Sequence, residues 1–524
     1  MNRRLARRAN KPRLKPLASC LALAFAFTGT VAAAPARPIV DRAVLDAWFP
    51  EWRGLVAPPQ RMDRNLETAR RYPVLWPVRQ RIPEVPAGSI SVTNCDDSGA
   101  GSLRDAVATA VSGQTIDLTA TGCSTITLTT GDISISQQDL VLQGPGADEL
   151  AIDGNDLYSL RHYNVAAGTL AINDLAITHG SRSLGATDYF SAKGGCVYSY
   201  GAVSLSNAVL SYCTVETTNP DPHYFSLGGG VYAKAAFTMT NSSITLSNAG
   251  IAGYYGYGGG AFTHGPATID ASALGLNYAS SAGGGVVTFG GILMSYSSVI
   301  LNSSESSGGL YASGGETTIA NSTIAQNSAV AFGGAFIQGT SSTPATLVNS
   351  TISGNSATRL VGGLGLTRYP ARIENSTIAF NTESNDMDLT YGAGLFIGTD
   401  VELESTIIAN NTLQSASGPV GDDFSGFGAI TGANNLTQFV LAGLAMPADT
   451  IYADPELSPL TYNGGPTATH ALSPLSPAID AGNNIAGLDT DQRGAGFARV
   501  IGANADIGAF ELEPDDVIFA NGFD

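Results

Sequence analysis

Apolar side chains along this chain come in short bursts instead of long stripes. Runs of three to five residues alternate apolar with small polar side chains, as in Thr317-Thr318-Ile319-Ala320, Ser322-Thr323-Ile324-Ala325 and Ala335-Phe336-Ile337. Alternation with β-branched residues, bounded by Gly and Asn, predicts short half-buried strands. Nothing between the runs is long or periodic enough for a crossover helix. Each strand must therefore pair with its own counterpart further along the chain.

The bursts recur. Gly308-Gly309-Leu310-Tyr311 returns as Gly333-Gly334-Ala335-Phe336, Gly362-Gly363-Leu364 and, more loosely, Gly392-Ala393-Gly394-Leu395-Phe396. Between them stand Asn321-Ser322-Thr323-Ile324, Asn349-Ser350-Thr351-Ile352 and Asn375-Ser376-Thr377-Ile378. A second asparagine follows each phrase, at Asn277, Asn302, Asn327, Asn355, Asn381 and Asn410, in steps of 25, 25, 28, 26 and 29 residues. Upstream the glycine pairs continue through Gly284-Gly285, Gly259-Gly260, Gly229-Gly230 and Gly194-Gly195, so about eight rungs are visible. A repeat of this length is one rung of a solenoid, and strands stacked on their own copies make a parallel β-helix. The fold class expected is all-β.

In such a stack Asn and Gly have an architectural reading that outweighs a ligand-binding one. Asn tolerates a left-handed corner, and its amide can bond its copy one rung away, as in side-chain ladders of stacked strands. Gly meets the same backbone need at another corner.

Composition supports an extended all-β solenoid: 524 residues, 44% apolar, with 62 Gly and only 13% charged residues. The net charge of -18 is unevenly spread, since residues 1–89 carry 16 Lys and Arg against 6 acids, and the remainder 10 against 38. Nucleic acid is a poor partner for so acidic a body, because its affinity rests on neutralising phosphates. Beyond residue 15 the lysines are Lys193 and Lys234 alone.

Residues 1–16 hold seven Lys or Arg, and Leu17 to Ala34 is apolar and rich in small residues, ending Val31-Ala32-Ala33-Ala34. This predicts a secretory signal peptide over 1–33. Leu17-Ala18-Ser19-Cys20 looks like a lipoprotein box, but its apolar run follows Cys20 where it would have to precede it. Residues 34–88 are rich in Pro and Arg and hold Trp48, Trp52 and Trp76, a cap or a removable pro-segment. The β-helix is expected over 89–420, a distinct C-terminal region over 421–511 and a tail over 512–524.

The entry to the first rung runs Ser91-Val92-Thr93-Asn94-Cys95-Asp96-Asp97-Ser98-Gly99-Ala100-Gly101-Ser102-Leu103-Arg104-Asp105-Ala106-Val107, and Gln143-Gly144-Pro145-Gly146-Ala147 follows later. Both phrases resemble the N-terminal entry of secreted bacterial right-handed parallel β-helix proteins of the pectate-lyase-like kind. That resemblance implies a short helix closing the end of the solenoid. Cys95, Cys123, Cys196 and Cys213 remain after the leader, an even number in an exported chain. Their spacing favours Cys95 with Cys123 and Cys196 with Cys213.

After Asn411 a different text begins: Asp454-Pro455-Glu456-Leu457-Ser458-Pro459-Leu460, Asn463-Gly464-Gly465-Pro466, Ser473-Pro474-Leu475-Ser476-Pro477-Ala478-Ile479-Asp480-Ala481-Gly482, Asp491-Gln492-Arg493-Gly494 and Asp506-Ile507-Gly508-Ala509-Phe510-Glu511. It resembles the choice-of-anchor Q domain that closes bacterial surface β-helix proteins, and implies an irregular C-terminal cap. Residues 512–524 resemble a short terminal tail of exported Gram-negative proteins. No transmembrane helix is expected after the leader, and too few residues follow for an outer-membrane barrel, so an autotransporter is not expected.

Catalytic chemistry is the competing expectation, because β-helices host lyases and hydrolases acting on glycans. An inverting hydrolase needs paired carboxylates, which on a solenoid sit one rung apart or at i, i+2 of a strand. The repeats read as lacking such pairs. Arg359, Arg368 and Arg372, with Glu374, Asp386 and Asp388, form the one basic cluster, read as turn residues in preference to a sugar groove. His162, His179, His223, His264 and His470 share no ligand spacing. Asp480, Asp491, Arg493 and Asp506 could hold Ca²⁺, and read better as ties between irregular loops. No catalytic or cofactor residues are assigned; Ca²⁺ is the one ion considered.

The aromatic stretches Thr187-Asp188-Tyr189-Phe190, Pro222-His223-Tyr224-Phe225 and Tyr254-Tyr255-Gly256-Tyr257 precede the glycine pairs of three successive rungs. Stacked, they would offer a strip for a glycan or protein, or pack over the flank of the helix. The expectation is a secreted or surface-bound, adhesin-like β-helix protein of a Gram-negative cell, with an extracellular glycan or a host or cell-surface protein as partner. A polysaccharide lyase or glycoside hydrolase is the alternative.

Overall fold

The computed structural model describes residues 88–513, apart from 165–167, 189, 222, 252–253, 341–342, 385–391, 416–417 and 441–443. The leader, nearly all of the Trp-bearing segment, Tyr189, Pro222, Asp386, Asp388 and the end of the tail lie outside the described residues.

Within them the chain is a parallel β-helix. One rung runs through Leu310–Ser313, Thr317–Ala320, Thr323–Ala325 and Ser328–Ala329, which contribute to what we call sheets C, A, B and D respectively. Each strand pairs in parallel with its counterpart one rung away, as Leu310 with Ala335 and Thr323 with Thr351. Sheets A and B have 13 strands each, C has 11 and D has 10, so the solenoid has about 11 turns where the repeated phrase marks eight. Alternation places Ile319 and Ile324 inside and Thr318 outside, and the inward column forms one continuous core from Val92 to Phe424.

The two asparagine columns divide the labour that the sequence reading gave to both. Asn321, Asn349 and Asn375 occupy the left-handed corner between sheets A and B, with φ of 51°, 50° and 43°. Ala271, Tyr296 and Ser405 hold the same corner, so tolerance for Asn is a preference there, not a necessity. The second asparagine is not left-handed. Its predecessor is, as Leu276, Leu301, Gln326 and Phe380 show.

The second asparagine instead builds a buried ladder. Asn277 donates its amide to Asn302 at 3.0 Å, Asn302 to Asn327 and Asn327 to Asn355 at 3.0 Å, then Asn355 to Asn381 and Asn381 to Asn411 at 2.9 Å. The last member is Asn411; Asn410, expected from the spacing, is the left-handed residue before it. The glycine pairs belong to the same feature. A Cβ at Gly309 would lie 2.6 Å from the carbonyl of Gly334 and 3.0 Å from the Asn327 amide, so the glycines leave the room the ladder fills.

The N-terminal end is closed by helix α1, Leu103–Thr109, whose N-cap Ser102 accepts from the amide of Asp105 and which buries Leu103, Ala106 and Val107 in the main core. Disulfides join Cys95 to Cys123 and Cys196 to Cys213, with Cα separations of 6.4 and 5.2 Å.

The C-terminal region differs from a terminal plug. Sheet pairing continues past residue 420 through Phe424–Gly426, Ile430–Ala433, Leu436–Thr437 and Ile451–Tyr452. Val440, Leu444 and Met446 pack on the end of the main core. The irregular chain from 454 to 512 then turns back along the flank of the solenoid at sheet B. Asn349 donates to the Thr490 carbonyl at 2.8 Å, Thr323 to Ala468 at 2.7 Å, and Gly508 to Ser405 at 2.8 Å. Nearer the N-terminal end of the same sheet, Gly494 lies against the ring of Tyr296.

Candidate functional site

Sheet C carries the chemistry that stands out. Its outward column is Arg161, Tyr198, Tyr232, Phe262, Val287, Tyr311 and Phe336, one residue per rung in strict register. The Tyr198 and Tyr232 rings stack at 5.4 Å, and Tyr232 and Phe262 at 5.8 Å with planes 3° apart. Val287 interrupts the column, and Phe289 leans in to restore it, 5.7 Å from Phe262 and 5.9 Å from Tyr311. These rings stand edge-outward, because neighbours about 4.8 Å apart along a sheet have no room to lie flat side by side.

The stack is largely buried: Tyr232 is 2% exposed and Phe262 4%. Beside it, at the corner leading to sheet A, runs a second column that is open to solvent. From the same register it reads Tyr163, Tyr200, Lys234, His264 and Phe289. Tyr163, Tyr200 and Phe289 are 52%, 42% and 41% exposed. On the other side Lys193 lies over the Tyr232 ring, with its ammonium 5.2 Å from the centroid, and the Arg161 guanidinium is 5.8 Å from the Tyr198 centroid. The body of this acidic chain thus collects both of its lysines, an arginine and a histidine on one aromatic strip.

Burial lowers the Lys193 ammonium from its ordinary value, and the charge of Lys234 lowers it further. Burial, then Lys234 and Lys193, likewise holds His264 below the usual imidazole range, leaving it neutral near pH 7. His264 packs edge-on against Tyr232 and Phe262, at 5.9 and 5.1 Å.

The predicted aromatic loops lie just upstream of this strip. They lead into three short paired strands, Ala192–Lys193, Ser226–Leu227 and Gly256–Tyr257, stacked rung on rung. Phe225 meets Tyr255 and Tyr257 edge-on at 6.2 and 5.8 Å. Their consequence for the strip is to deliver Lys193. The rings of sheet C were written in the repeat itself, as the aromatic after Gly309-Leu310 and Gly334-Ala335, but their outward direction depends on the register of the strand.

The arginine cluster separates. Arg359 and Arg368 are exposed at two different corners, whereas Arg372 lies on the outer face of sheet A. There the expectation of no paired carboxylates is corrected: Glu374 sits directly beside Glu404, and Arg372 beside Glu402, on adjacent strands. Arg372 bridges Glu374 at 3.1 Å and Glu402 at 2.9 Å, and Glu404 accepts from the Asn483 amide at 3.0 Å. Burial raises the Glu374 carboxyl, Arg372 opposes the rise, and Glu402 and Glu404 add to it. The signal was present as the 30-residue spacing of Glu374 and Glu404, and becomes readable once sheet A is in register.

The remaining candidates hold structure. Asp491 accepts from the backbone and side chain of Arg493 at 2.8 and 2.9 Å and from the amide of Glu511 at 2.9 Å. Arg493 is sandwiched between Phe497 and Phe510, 4.0 and 3.9 Å from the ring centroids. Asp506 accepts from the amides of Asp480 and Leu512, and Asp480 from those of Ala503 and Asn504. Arg499 and Glu511, not singled out from sequence, form a second buried pair at 2.9 Å. His162 is buried between Ser199 and the Gln137 carbonyl; His470 binds Ser353 and the Ser458 carbonyl; His179 stacks on Tyr212; His223 pairs with Asp221. Among the described residues no three His, Cys, Asp or Glu side chains converge as metal ligands.

No protein-family model matches the chain, and no curated protein matches it. Among solved structures it is similar to pectate lyase Pel9A, at 13% identity over 82% of this chain and 98% of that one, with a TM-score of 0.38. It is similar to the alginate lyase AlyF-OU02, at 10% identity over 74% and 92%, TM-score 0.31. The tailspike protein 3 of bacteriophage CBA120 matches at 14% identity over 74% and 66%, TM-score 0.24.

Proposed function

We propose that this chain is an exported, secreted or surface-held β-helix protein that binds an extracellular glycan along sheet C. The observation that carries this reading is the open column Tyr163, Tyr200, Lys234, His264 and Phe289 beside a buried stack of rings, on five successive rungs. Aromatic groups offer apolar area to the C–H faces of sugars, and cations and hydroxyls beside them meet polar substituents. A rung repeat of about 4.8 Å is comparable with one sugar ring, so a linear chain laid along the axis meets the same surface repeatedly. Two disulfides and the leader-like first 33 residues support export. The residue string from 454 to 511 supports a choice-of-anchor Q-like region at the C-terminal side.

A glycan array followed by calorimetry tests the reading. Tyr200→Ala is expected to weaken binding of the array hit about tenfold without shifting the thermal midpoint. Unchanged affinity in that variant would overturn it.

A second reading is a lyase or hydrolase centred on Arg372, Glu374, Glu402 and Glu404. Its support is the raised Glu374 carboxyl beside an Arg-paired Glu402, two carboxyl groups in unlike environments. Turnover of a polysaccharide, with or without Ca²⁺, that disappears in Glu374→Gln would favour it over binding alone.

A further inference from the structure

We infer that residues 454–512 are a detachable strap, and that the outer face of sheet B is its docking surface, holding the strap rung by rung through the Asn and Thr of the repeated Asn-Ser-Thr-Ile phrase. The inference uses a different face of the solenoid and stands apart from the glycan reading.

The ties follow the phrase. Asn321, Asn349 and Asn375 donate their amides to the carbonyls of Asp491, Thr490 and Asn483 at 3.2, 2.8 and 3.0 Å. Two residues on, Thr323 donates to the Ala468 carbonyl at 2.7 Å, Thr351 to the Gln492 side chain at 2.6 Å, and Thr377 accepts from the Ala509 amide at 3.1 Å. Each of these successive rungs thus gives the strap one amide and one hydroxyl. All the partners but Gln492 are backbone groups, so the seat grips an irregular chain chiefly by its main chain.

The seat has a second way to satisfy itself. Upstream, the same left-handed corner carries Asp174, Asn207 and Asn241. There the amides run along the axis: Asn241 donates to Asn207 at 2.7 Å and Asn207 to Asp174 at 3.0 Å. Asn321, Asn349 and Asn375 stand in that column one rung apart, so their amides can turn from strap to neighbour when the strap leaves. Baring the face therefore does not orphan them. The other outward side chains of these rungs are chiefly Thr, Ser and Ala; the large apolar ones are Ile300 and Ile407, which pack in two small clusters with Leu460 and with Leu472 and Phe510.

The strap likewise keeps its own shape. The buried ion pairs Asp491 with Arg493 and Glu511 with Arg499 lie within it, and Arg493 is held between rings of the strap itself. A mostly polar interface between two self-contained parts is of the kind that opens reversibly.

The test inserts a specific protease site between Ala453 and Asp454 of the full chain and follows both pieces by size exclusion after native cleavage. The severed strap is expected to stay with the solenoid, to leave it in mild urea below the midpoint at which the solenoid loses its β-sheet circular dichroism, and to return on dilution. Thr323→Val with Asn349→Ala should weaken that recapture about tenfold, read as a dissociation constant. Thr323→Ser should keep it. Asn241→Ala, on the same corner but upstream, should leave recapture unchanged. A wild-type strap that separates at once under native conditions, or that leaves only as the solenoid unfolds, overturns the inference. So does recapture that is equal in wild type and the Thr323→Val, Asn349→Ala variant, or that Asn241→Ala weakens as much.

Discussion

Asn355 shows what one side chain contributes to this fold. Its carbonyl oxygen accepts from both the backbone and the side-chain amide of Asn327 at 3.0 Å, and its own amide donates to the Ile324 carbonyl and to Asn381, all with no exposure to solvent. Removing it orphans several buried groups, so Asn355→Ala should destabilise by roughly 2–5 kcal/mol in urea unfolding. Asn321→Gly keeps the left-handed corner but loses the amide that donates to the Asp491 carbonyl at 3.2 Å, so it should cost roughly 1 kcal/mol, less than Asn355→Ala. The ladder ends on a carboxylate: Asp423 accepts the Asn411 amide at 2.9 Å and the backbone amide of Phe439 at 2.8 Å. Its neighbour Asp422 is pushed up to about 6, chiefly by burial, with the charge of Asp423 adding to it and the amides of Ala393 and Gly392 opposing. A carboxyl raised above its unfolded value stabilises the fold when protonated, and that contribution is lost as pH rises through about 6. Asp422→Asn should therefore raise stability at pH 7 by roughly 1–3 kcal/mol and leave it unchanged near pH 3.5, read from denaturant midpoints at the two pH values.

At the scale of elements, sheet C is unusual in stacking rings on its outer face, where the middle rungs of sheet A present residues such as Thr238, Thr268, Leu293 and Thr318. The same strand period serves both, and the difference lies in which residue follows the glycine pair. At Gly365 the column has no side chain, and Phe332 fills the place; a Cβ there would meet that ring at 2.5 Å. Gly365→Val should displace Phe332 and loosen the neighbouring rungs, visible as increased amide exchange at Ala335–Gln338 and Leu395–Gly398. The Cys196–Cys213 disulfide closes a short loop on the rung that carries Tyr198. Replacing both cysteines with Ala is expected to cost about 3 kcal/mol and to weaken glycan binding at the strip by way of that rung.

For the whole molecule, the decisive feature is the chain from 454 to 512 laid along sheet B. A parallel solenoid can leave each sheet open to water on its outer face, and this segment covers one of them with hydrogen bonds to side chains projecting from successive rungs. It is held in shape by ion pairs without solvent contact, Asp491 with Arg493 and Glu511 with Arg499. Such pairs are costly to break singly, because the partner is left buried and charged. Arg493→Ala should cost roughly 3–5 kcal/mol locally. Limited proteolysis would then remove residues beyond about 454, while the solenoid keeps its β-sheet circular dichroism.

The repeat of short alternating runs was enough to determine a stacked parallel β-helix, its rung length and the residues that fill its core, because like residues must lie over like when every strand pairs with its own copy. The same logic made Cys95 with Cys123 readable as neighbours one rung apart. What it could not determine was anything that depends on which way a side chain turns or on a segment without a repeat. The left-handed corner went to Asn321 and its copies but not to Asn355, because a one-residue offset separates a backbone role from a ladder role. Glu374 and Glu404 become neighbours only when strands of unequal rung length are set in register. The path of residues 454–512 was decided by tertiary packing alone, since an aperiodic chain takes its course from the surface it covers.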